Sequence, residues 1–564
     1  MDIDLDLVVG ATQLDSLQTV WKESEFVYIF TMKGKKEIWE ISIVFKPSFP
    51  YSLPALELKN TEYIGIIPHV NKSGTICLED DDSILINYVD PARIVVHLLK
   101  EAVLLLERMS LGIYRDELLD ELEGYFLGAK LVNSFYHATN KLEWIYLRLR
   151  TPKNKFRTEQ VQPLMLSDRR VFPPHKFSNI SGLNAYQQIK IIHFPLDDSA
   201  LPPGSAGDID STYLYSLLKK VSYKRRRFLE KLLKKIKPAR CFFVLVSMPR
   251  SSNERTQFLL KCSSSNRLTH PLTSINDGWQ VETMLVRRMN KEYLLERGGA
   301  DSSLQERKVA IIGCGSVGSE IAVMLAKSGV GNLALIDYQN LEADNIYRHR
   351  AGGSLLNFLP SAETYVGISK VKALKKLIQS DLPFIHVNDV NMYAEQAIKI
   401  PDIANADLII IAVGSPSLNL WINRKLKEIG IKKAVFCWNE AAGCGGHAIL
   451  LDYERTCLEC LFSSETGISQ TSPISLVKPG QKITKNLTGC AGSFTPFTYI
   501  DSVRTAEAAC HISILNMRSH IDPIALSWKG ENRSGLETTS RFDSMPLKEQ
   551  ISIDPNVYCQ VCNG

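Results

Sequence analysis

The chain has 564 residues, of which 45% are hydrophobic and 23% charged, and its formal net charge is +5. This composition is ordinary for a globular protein, and the length exceeds what one core supports, so we expect several domains. The sequence contains no apolar run of about 18 residues, which argues against a membrane span. Its N-terminus, MDIDLDLVVG, is acidic where a secretory signal is basic, so we expect a cytoplasmic protein whose twelve cysteines form no disulfides.

The first 135 residues predict a meander of antiparallel strands followed by a helix. Polar and apolar residues alternate in VYIFTMKG (27–34) and KEIWEISIVFK (36–46), and prolines hold FPYSLPALEL (49–58) extended. An amphipathic helix is predicted to begin at Asp90-Pro91, with Asp90 as its N-cap. Cys77 precedes this helix in a polar loop beside an acidic run, so we expect an exposed thiol, whereas most free cysteines are buried.

The segment PHVNKSGTICL (68–78), with the meander and the proline-rich strand, resembles ubiquitin-conjugating domains over roughly residues 15 to 130. In that family the cysteine follows a His-Pro-Asn element and G-x-I-C-L. The resemblance implies that Cys77 carries a thioester and that Asn71 is the oxyanion-stabilising amide. Val70 replaces the family's proline, and Asn71 lies six residues before the cysteine where eight is the common spacing. The alternative interpretation is that His69 and Asn71 only stabilise the loop.

Residues 136–290 predict a mixed α/β linker domain. Apolar runs at 142–150, 189–196, 241–248 and 256–262 are typical of strands, and loops rich in Pro, Ser and Asn separate them. The stretch 219–240 predicts a helix and carries eleven Lys and Arg residues against one acid, Glu230. A solvated helix face is the favoured interpretation, so we expect no nucleic-acid partner. A surface for nucleic acid or for an acidic partner is the alternative.

Residues 308–337, KVAIIGCGSVGSEIAVMLAKSGVGNLALID, predict a strand, a Gly-rich turn, a helix and a second strand that ends on an acid. Gly313, Gly315 and Gly318 form G-x-G-x-x-G at the strand-to-helix junction, where a tight turn and free helix N–H groups bind phosphate. Asp337 takes the position that reads a ribose hydroxyl. The pattern predicts a nucleotide site, but NAD-dependent dehydrogenases share it, so the turn alone does not identify the nucleotide.

The segments SGVGNLALIDYQNLEADNIYRHR (328–350) and GISKVKALKKLI (367–378) resemble the activating enzymes of ubiquitin and of sulfur-carrier proteins, the ThiF/MoeB type. The resemblance implies a Rossmann-like adenylation domain over residues 291–564. It also implies an ATP site built, besides the three glycines, from these residues: Asp337, Asn345, Arg348 and Lys370. Arg348 and Lys370 can neutralise charge that develops on the α-phosphate, for which a dehydrogenase has no need.

One expected part of the adenylation site is missing, because the magnesium-binding aspartate of the family falls on Gly414. Either other groups or the phosphates alone hold the Mg²⁺, or the arrangement is modified. We therefore expect ATP and Mg²⁺ as cofactors without assigning a protein ligand to the metal.

Two Cys-x-x-Cys pairs, Cys457 with Cys460 and Cys559 with Cys562, have the spacing of a structural zinc site that joins distant parts of one domain. A polar loop lies between them. In the activating enzymes a cysteine of this loop captures the adenylated carboxyl group, and Cys490 fits, since its neighbours are small and a helix follows. For four further cysteines core packing is the expected role: Cys314, Cys437, Cys444 and Cys510.

The order of the domains is similar to that of bacterial fusions found in type II CBASS anti-phage operons. The resemblance implies that ATP activates the C-terminal glycine of a cGAS-like nucleotidyltransferase, which passes through thioesters on Cys490 and Cys77 to the lysine of a target protein. It also implies a homodimer formed by the adenylation domains. Two alternatives remain: a sulfur-carrier-type adenylyltransferase, for which Cys77 is dispensable, and a non-catalytic nucleotide-binding scaffold, suggested by Gly414.

Overall fold

The computed structural model divides into two compact units, Met1–Phe172 with Gly182–Asn290, and Pro173–Ser181 with Lys291–Gly564. It describes residues 14–60, 68–71, 73–78, 86–110, 117, 119–120, 123, 130–150, 162–168, 187–197, 209–250, 254–273, 278–487 and 493–563. Within these ranges, no helix combines the length and the apolar character that crossing a membrane requires.

The first unit begins with the predicted antiparallel meander, whose strands pair in sequence order. They are β1 (Leu17–Ser24), β2 (Val27–Lys33), β3 (Ile38–Val44), β4 (Ala55–Leu58) and β5 (Thr75–Ile76), followed by helix α1 (Pro91–Ser110). Asp90 accepts a hydrogen bond from the backbone N–H of Arg93 at 3.3 Å, which confirms it as the N-cap. The inward side chains of the strands, led by Trp39 and Phe30, pack in one cluster with Leu98 and Leu99 of α1.

The same unit contains a closed β-barrel, which the sequence predicted only as strands of a mixed domain. The strands, in the order β10-β11-β12-β6-β8-β7-β9 around the barrel, are β6 (Leu131–Ser134), β7 (Glu143–Arg150), β8 (Gln162–Ser167), β9 (Gln187–Pro195), β10 (Ala239–Pro249), β11 (Arg255–Leu268) and β12 (Gln280–Arg288). Alternate residues fill the interior, among them Leu147 and Leu245. The opposite faces of the strands pack against helices α2 (Ser211–Lys220) and α3 (Tyr223–Leu233).

A buried histidine joins three parts of the barrel domain. His193 is completely buried; its Nε2 lies 2.8 Å from Ser247 Oγ, and its Nδ1 lies 2.9 Å from the Lys141 carbonyl oxygen and 2.7 Å from the Tyr136 hydroxyl. Burial lowers the pKa of His193 to about 3, and burial also lowers the pKa of His270 to about 3. Both side chains are therefore neutral in the folded protein at any physiological pH.

We expect the first unit to lose stability in mild acid. The unfolded chain binds a proton on each histidine below its ordinary pKa of about 6.5, and the folded chain does not, so the free energy of unfolding falls as pH drops from about 6.5 towards 3. Each group contributes up to about 1.4 kcal/mol per pH unit. Urea denaturation at pH 7.5 and 5.0 measures this. His193→Gln should reduce the acid-induced loss of unfolding free energy. The control His97→Gln, at an exposed site of α1, should lose as much as the unaltered protein. An equal loss in the unaltered protein and both variants would contradict the role of His193.

The second unit is a doubly wound α/β domain, as predicted. Its main sheet has the order β17-β14-β13-β18-β19-β20-β25-β26; the strands from β17 to β19 are parallel and the remaining ones antiparallel. They are β13 (Lys308–Ile312), β14 (Asn332–Ile336), β17 (His386–Val390), β18 (Leu408–Ile411), β19 (Lys433–Asn439), β20 (Gly445–Asp452), β25 (Ile524–Lys529) and β26 (Lys548–Ser552). Small hairpins pair β15 (Leu356–Leu359) with β16 (Thr364–Gly367), β21 (Ser463–Ser464) with β22 (Gly467–Ile468), and β23 (Lys485–Asn486) with β24 (Ser493–Phe494).

Helices cover both faces of this sheet. They are α4 (Lys291–Arg297), α5 (Ser316–Lys327), α6 (Lys370–Asp381), α7 (Ala394–Ala397), α8 (Pro401–Ala404), α9 (Pro416–Glu428), α10 (Tyr499–Ser519), α11 (Ser540–Ser544) and α12 (Gln560–Asn563). One core cluster joins α5, α6 and α10 to one face of the sheet, and a second joins α7, α8 and α9 to the other. The chain runs outward from β13 to β17 and then returns to β18 on the opposite side of β13. This reversal opens a crevice at the carboxyl ends of β13 and β18, where α/β sheets bind ligands.

Candidate active site

The Gly-rich turn lies at this crevice, between β13 and α5. Gly313 has a φ of +88°, and a Cβ on it would lie 2.7 Å from the Ala412 carbonyl oxygen. A Cβ on Gly318 would lie 1.9 Å from the carbonyl oxygen of Gly313, so the first turn of α5 packs directly on the loop. Gly315 is the N-cap of α5, and a Cβ on it would meet no atom within 4 Å in the described part of the chain. The first and third glycines thus permit close packing, while the second faces open space at a helix N-terminus suited to phosphate.

Asp337 connects the second strand to the Gly-rich turn. Its Oδ2 accepts a hydrogen bond from the Cys314 N–H at 2.9 Å, and its Oδ1 accepts one from the Gln339 N–H at 2.8 Å. The carboxylate therefore stands at the end of β14 beside the open turn, in the position that the sequence predicted. Its contact with a ribose stays a prediction.

Lys370 is a buried cation close to Asp337. It is 7% exposed at the start of α6, and its Nζ donates a hydrogen bond to Gln339 Oε1 at 2.6 Å. Burial raises the pKa of Cys314, and Asp337 raises it further, while Lys370 lowers it. The Gln339 backbone N–H donates to Asp337 and the Gln339 side chain accepts from Lys370, so Asp337 and Lys370 contact the same residue beside the turn.

His349 is a site residue that the sequence analysis missed. It is buried; its Nδ1 accepts a hydrogen bond from the Ala351 N–H at 3.0 Å, so its Nε2 carries the proton and donates to the Cys314 carbonyl oxygen at 2.9 Å. Burial lowers the pKa of His349, and Lys370 lowers it further, which keeps the ring neutral. His349 thereby positions the backbone of the Gly-rich turn. The available signal was its place directly after Arg348 in the segment NIYRHR.

The structure places Arg348 and Asn345 in other contacts. The Arg348 guanidinium carbon lies 4.9 Å from the Phe497 ring centre and 5.7 Å from that of Phe494, just before α10. Asn345 Oδ1 accepts a hydrogen bond from the Glu342 N–H at 3.0 Å and caps the short 3-10 helix Ala343–Asn345. Their roles at ATP stay predictions, and the structure brings Arg348 to the segment that follows the predicted catalytic loop.

Gly414 follows β18 at the crevice, and a Cβ on it would meet no atom of the described residues within 4 Å, so these residues leave space where the family has an aspartate. Asn419 is buried five residues later and donates its Nδ2 to the Val413 carbonyl oxygen at 3.1 Å. Its Oδ1 has no hydrogen-bond partner among the described residues. An oxygen of the type that Mg²⁺ accepts thus occurs near Gly414, although in an amide rather than a carboxylate.

Cys77 is exposed, as predicted, directly after β5 in the other unit. Its N–H donates to the His69 carbonyl oxygen at 2.7 Å, and Val70 pairs with Ile76, so a tight backbone turn presents the thiol. Asn71 Oδ1 accepts hydrogen bonds within this turn, from Ser73 N at 2.9 Å, Ser73 Oγ at 2.6 Å and Thr75 N at 2.9 Å. These contacts favour the loop-stabilising interpretation of Asn71; its oxyanion role stays a prediction.

Five further cysteines have predicted roles outside the Cys-x-x-Cys pairs. Cys490, predicted as the first acceptor, lies outside the described residues, which resume at Ser493 before the Thr498 N-cap of α10. The four cysteines predicted to pack in the core are buried, and burial raises the pKa of each: Cys314, Cys437, Cys444 and Cys510. Those four thiols are protonated at neutral pH and poorly suited to nucleophilic attack.

The two Cys-x-x-Cys pairs meet in one cluster. Their four Sγ atoms lie within 4.8 Å of one another, with Cys457 3.5 Å from Cys559 and Cys460 3.6 Å from Cys562. Tetrahedral zinc with Zn–S bonds of about 2.3 Å separates its sulfur ligands by about 3.8 Å, so the donor set fits this metal. Cys457 and Cys460 share a hydrogen bond that lowers the pKa of Cys460 and raises the pKa of Cys457.

We expect zinc to bind at this cluster and to hold the C-terminal segment on the domain. Metal analysis should find one zinc ion per chain, and a strong chelator should lower the melting temperature by more than about 10 °C, since structural zinc sites contribute several kcal/mol to folding. Cys559→Ser should reproduce the loss, and Cys241→Ser, in the first unit, should leave zinc content unchanged. A metal-free protein with an unaltered melting temperature would contradict the assignment.

Comparison with known families agrees with this geometry. A model of the ThiF family matches residues 290–500, and a model of the prokaryotic E2 family B matches residues 13–133. The chain is a fusion of an E2-like domain and a ThiF-type domain. The two family matches fall on opposite sides of the barrel in the sequence, with the exposed Cys77 in one and the Gly-rich turn in the other.

Curated relatives of the fusion include two bacterial proteins named ATP-dependent ubiquitin transferase-like protein Cap2. The Pseudomonas aeruginosa protein is 27% identical over 42% of this chain and 41% of its own length, and the Escherichia coli protein is 24% identical over 50% and 44%. The adenylyltransferase and sulfurtransferase MOCS3 of Dictyostelium discoideum is 31% identical over 31% and 38%. The fusion thus spans less than half the length of each of these relatives.

Proposed function

We propose that the fusion is an ATP-dependent ligase that activates the C-terminal carboxylate of one protein and joins it to an amine of another. The observation that carries the proposal is the exposed Cys77 of the E2-like domain, because an adenylating enzyme acting alone has no use for a second reactive thiol. The names of the two Cap2 relatives, both ATP-dependent ubiquitin transferase-like proteins, support it.

Adenylation takes place at the Gly-rich turn. The turn and the N-terminus of α5 hold the phosphates of ATP, and Asp337 holds the ribose. The carboxylate attacks the α-phosphate and pyrophosphate leaves, while Lys370 and Arg348 neutralise the charge that develops there. Mg²⁺ supplies further neutralisation when bound. With Gly414 at the usual aspartate position, other groups or the phosphates hold it.

Two thioesters then carry the activated acyl group. The Cys490 thiolate attacks the acyl adenylate and AMP leaves. The Cys77 thiolate attacks the resulting thioester, Cys490 leaves as a thiolate, and the amine of a target lysine displaces Cys77 to form an isopeptide bond. Placing both cysteines in one chain raises their effective concentration to about the millimolar range where the linker lets them meet.

The finer assignments rest on the resemblance to type II CBASS fusions. We propose that the modifier is the C-terminal glycine of a cGAS-like nucleotidyltransferase, that target proteins supply the lysine, that the adenylation domains form a homodimer, and that the protein acts in anti-phage defence in the cytoplasm. The similarity to MOCS3 favours, as a second candidate, activation of a sulfur carrier, for which Cys77 is dispensable. A third candidate function is that of a non-catalytic nucleotide-binding scaffold, which the glycine at position 414 suggests.

Exchange of labelled pyrophosphate into ATP tests the activation step. We expect exchange only when the cGAS-like nucleotidyltransferase is present with its C-terminal glycine, and no exchange when that glycine is deleted. Activity with an intact sulfur carrier instead would support the second candidate. No exchange with either protein would contradict both enzymatic functions.

A further inference from the structure

The basic stretch 219–240 has no part in the proposed ligation, and among the described residues two of its eleven cations pair with an acid, Arg225 with Asp197 and Arg226 with Glu230. All of its Lys and Arg residues are exposed except Arg225, which is half-buried and contacts Asp197 and Asn140. Glu230 is the one acid in the stretch, giving a local excess of ten cations, twice the whole-chain formal charge of +5. The Leu229 and Leu233 side chains anchor α3 by packing in the outer cluster of the barrel domain.

The outward face of α3 carries three cationic side chains flanked by two aromatic side chains. An α-helix has 3.6 residues per turn, so successive side chains are rotated by about 100° about its axis. Five residues therefore fall on an arc of about 140° opposite Leu229 and Leu233. In order around the helix they are Tyr223, Arg227, Lys231, Lys224 and Phe228; we call them the cationic arc. Tyr223 is 76% exposed and Phe228 49% exposed. Glu230 falls just outside the arc and pairs with Arg226 at 3.6 Å.

We propose that the cationic arc binds single-stranded nucleic acid. Lys and Arg neutralise the phosphates, and exposed aromatic rings stack with unpaired bases, a combination typical of proteins that bind single strands. Further exposed cations precede and follow the arc in the sequence: Lys219, Lys220, Lys234, Lys235, Lys237 and Arg240. The sequence alone favoured a solvated face; the exposure of both rings beside the cations is what changes that interpretation.

Two other polyanions fit the arc less well. A membrane-bound amphipathic helix inserts its apolar face into lipid, but here that face, with Leu229 and Leu233, is buried against the barrel. An acidic protein surface is disfavoured because protein interfaces are depleted in lysine, whereas lysine makes up most of the exposed cations of this stretch.

Fluorescence anisotropy of a labelled 20-nucleotide dT strand with the full chain tests the proposal. We expect tighter binding of this strand than of a 20-base-pair duplex or a polyglutamate chain. Replacing Lys224, Arg227 and Lys231 together by alanine should weaken binding at least tenfold in 50 mM salt and reduce the salt slope by about 2. The control, alanine at the exposed Lys327, Lys376 and Lys399 of the other unit, should bind like the unaltered protein.

Replacing the two aromatic residues distinguishes the contribution of base stacking from that of charge. Tyr223→Ala with Phe228→Ala should weaken binding of the single strand about fivefold or more, leave the salt slope unchanged, and leave binding of polyglutamate unchanged. The melting temperature and pyrophosphate exchange should stay normal in every variant, so a failed ligation proposal would leave this result unaffected. Equal or tighter binding of polyglutamate or duplex, no binding at all, or no effect of either set of replacements would overturn the proposal.

Discussion

Cys77→Ala is expected to abolish isopeptide formation, by about a thousandfold or more, and to leave pyrophosphate exchange unchanged. Cys77 is exposed on a turn fixed by its hydrogen bond to the His69 carbonyl oxygen, and it is remote in sequence from the Gly-rich turn that activates the carboxylate. Removing its thiol therefore removes the acyl acceptor without altering the nucleotide site. A gel assay of conjugates and an exchange assay on the same preparation measure the two steps.

Two further variants make the Cys77 experiment specific. Cys77→Ser should accumulate an adduct that resists thiols and is cleaved by alkali, because an oxygen ester replaces the thioester. Cys241→Ser is the matched control, since burial raises the pKa of this half-buried thiol to about 11 and keeps it unreactive. Normal conjugation by Cys77→Ala would refute the role of this residue as the second acyl acceptor.

Lys370→Ala is expected to lower pyrophosphate exchange by about 10²- to 10³-fold, the effect of removing one preorganised charge donor from a transition state. Lys370 is almost fully buried at the start of α6, where Gln339 holds its ammonium group on the Asp337 side of the Gly-rich turn. Since the charge on the α-phosphate develops during reaction, the loss should fall mainly on the rate constant rather than on KM for ATP.

Lys372→Ala is the matched control for Lys370, because it lies two residues further along the same helix and is exposed. It should retain full exchange. The melting temperatures of both variants show whether the buried position tolerates alanine. If Lys370→Ala is folded and exchanges at the normal rate, or if Lys372→Ala loses as much activity, the ammonium group of Lys370 is not at the reacting phosphate.

The parts of the fold that depend on local pattern were predictable. A strand, a Gly-rich turn and a helix are contiguous in residues 308–327, so the periodicity and the glycine spacing specify them together, and Lys370 indeed opens a helix. The barrel was not predicted as a barrel, because its closure needs parallel pairing of β6 with β12, which are far apart in the chain, and of β9 with β10, which two helices separate. Alternation identifies a strand but not its partner.

Side-chain roles were harder to predict than elements. His349 positions the turn only because folding buries it against the Cys314 carbonyl oxygen, a contact that no spacing in the sequence indicates. The role of Arg348 at the phosphates stays a prediction, and its contacts with Phe494 and Phe497, far away in the chain, were not predicted. The spacing of the Cys-x-x-Cys pairs, in contrast, predicted their meeting correctly, because four thiols in such pairs have few other functions.

The thioester relay is the central claim, and the most direct measurement is the distribution of thiol-sensitive adducts among three proteins. The unaltered chain, Cys77→Ala and Cys490→Ala are each incubated with ATP and the cGAS-like nucleotidyltransferase, then separated with and without reducing agent. We expect an adduct on Cys490 to accumulate in Cys77→Ala, and no adduct on either cysteine in Cys490→Ala. An adduct on Cys77 that forms normally in Cys490→Ala would contradict the relay.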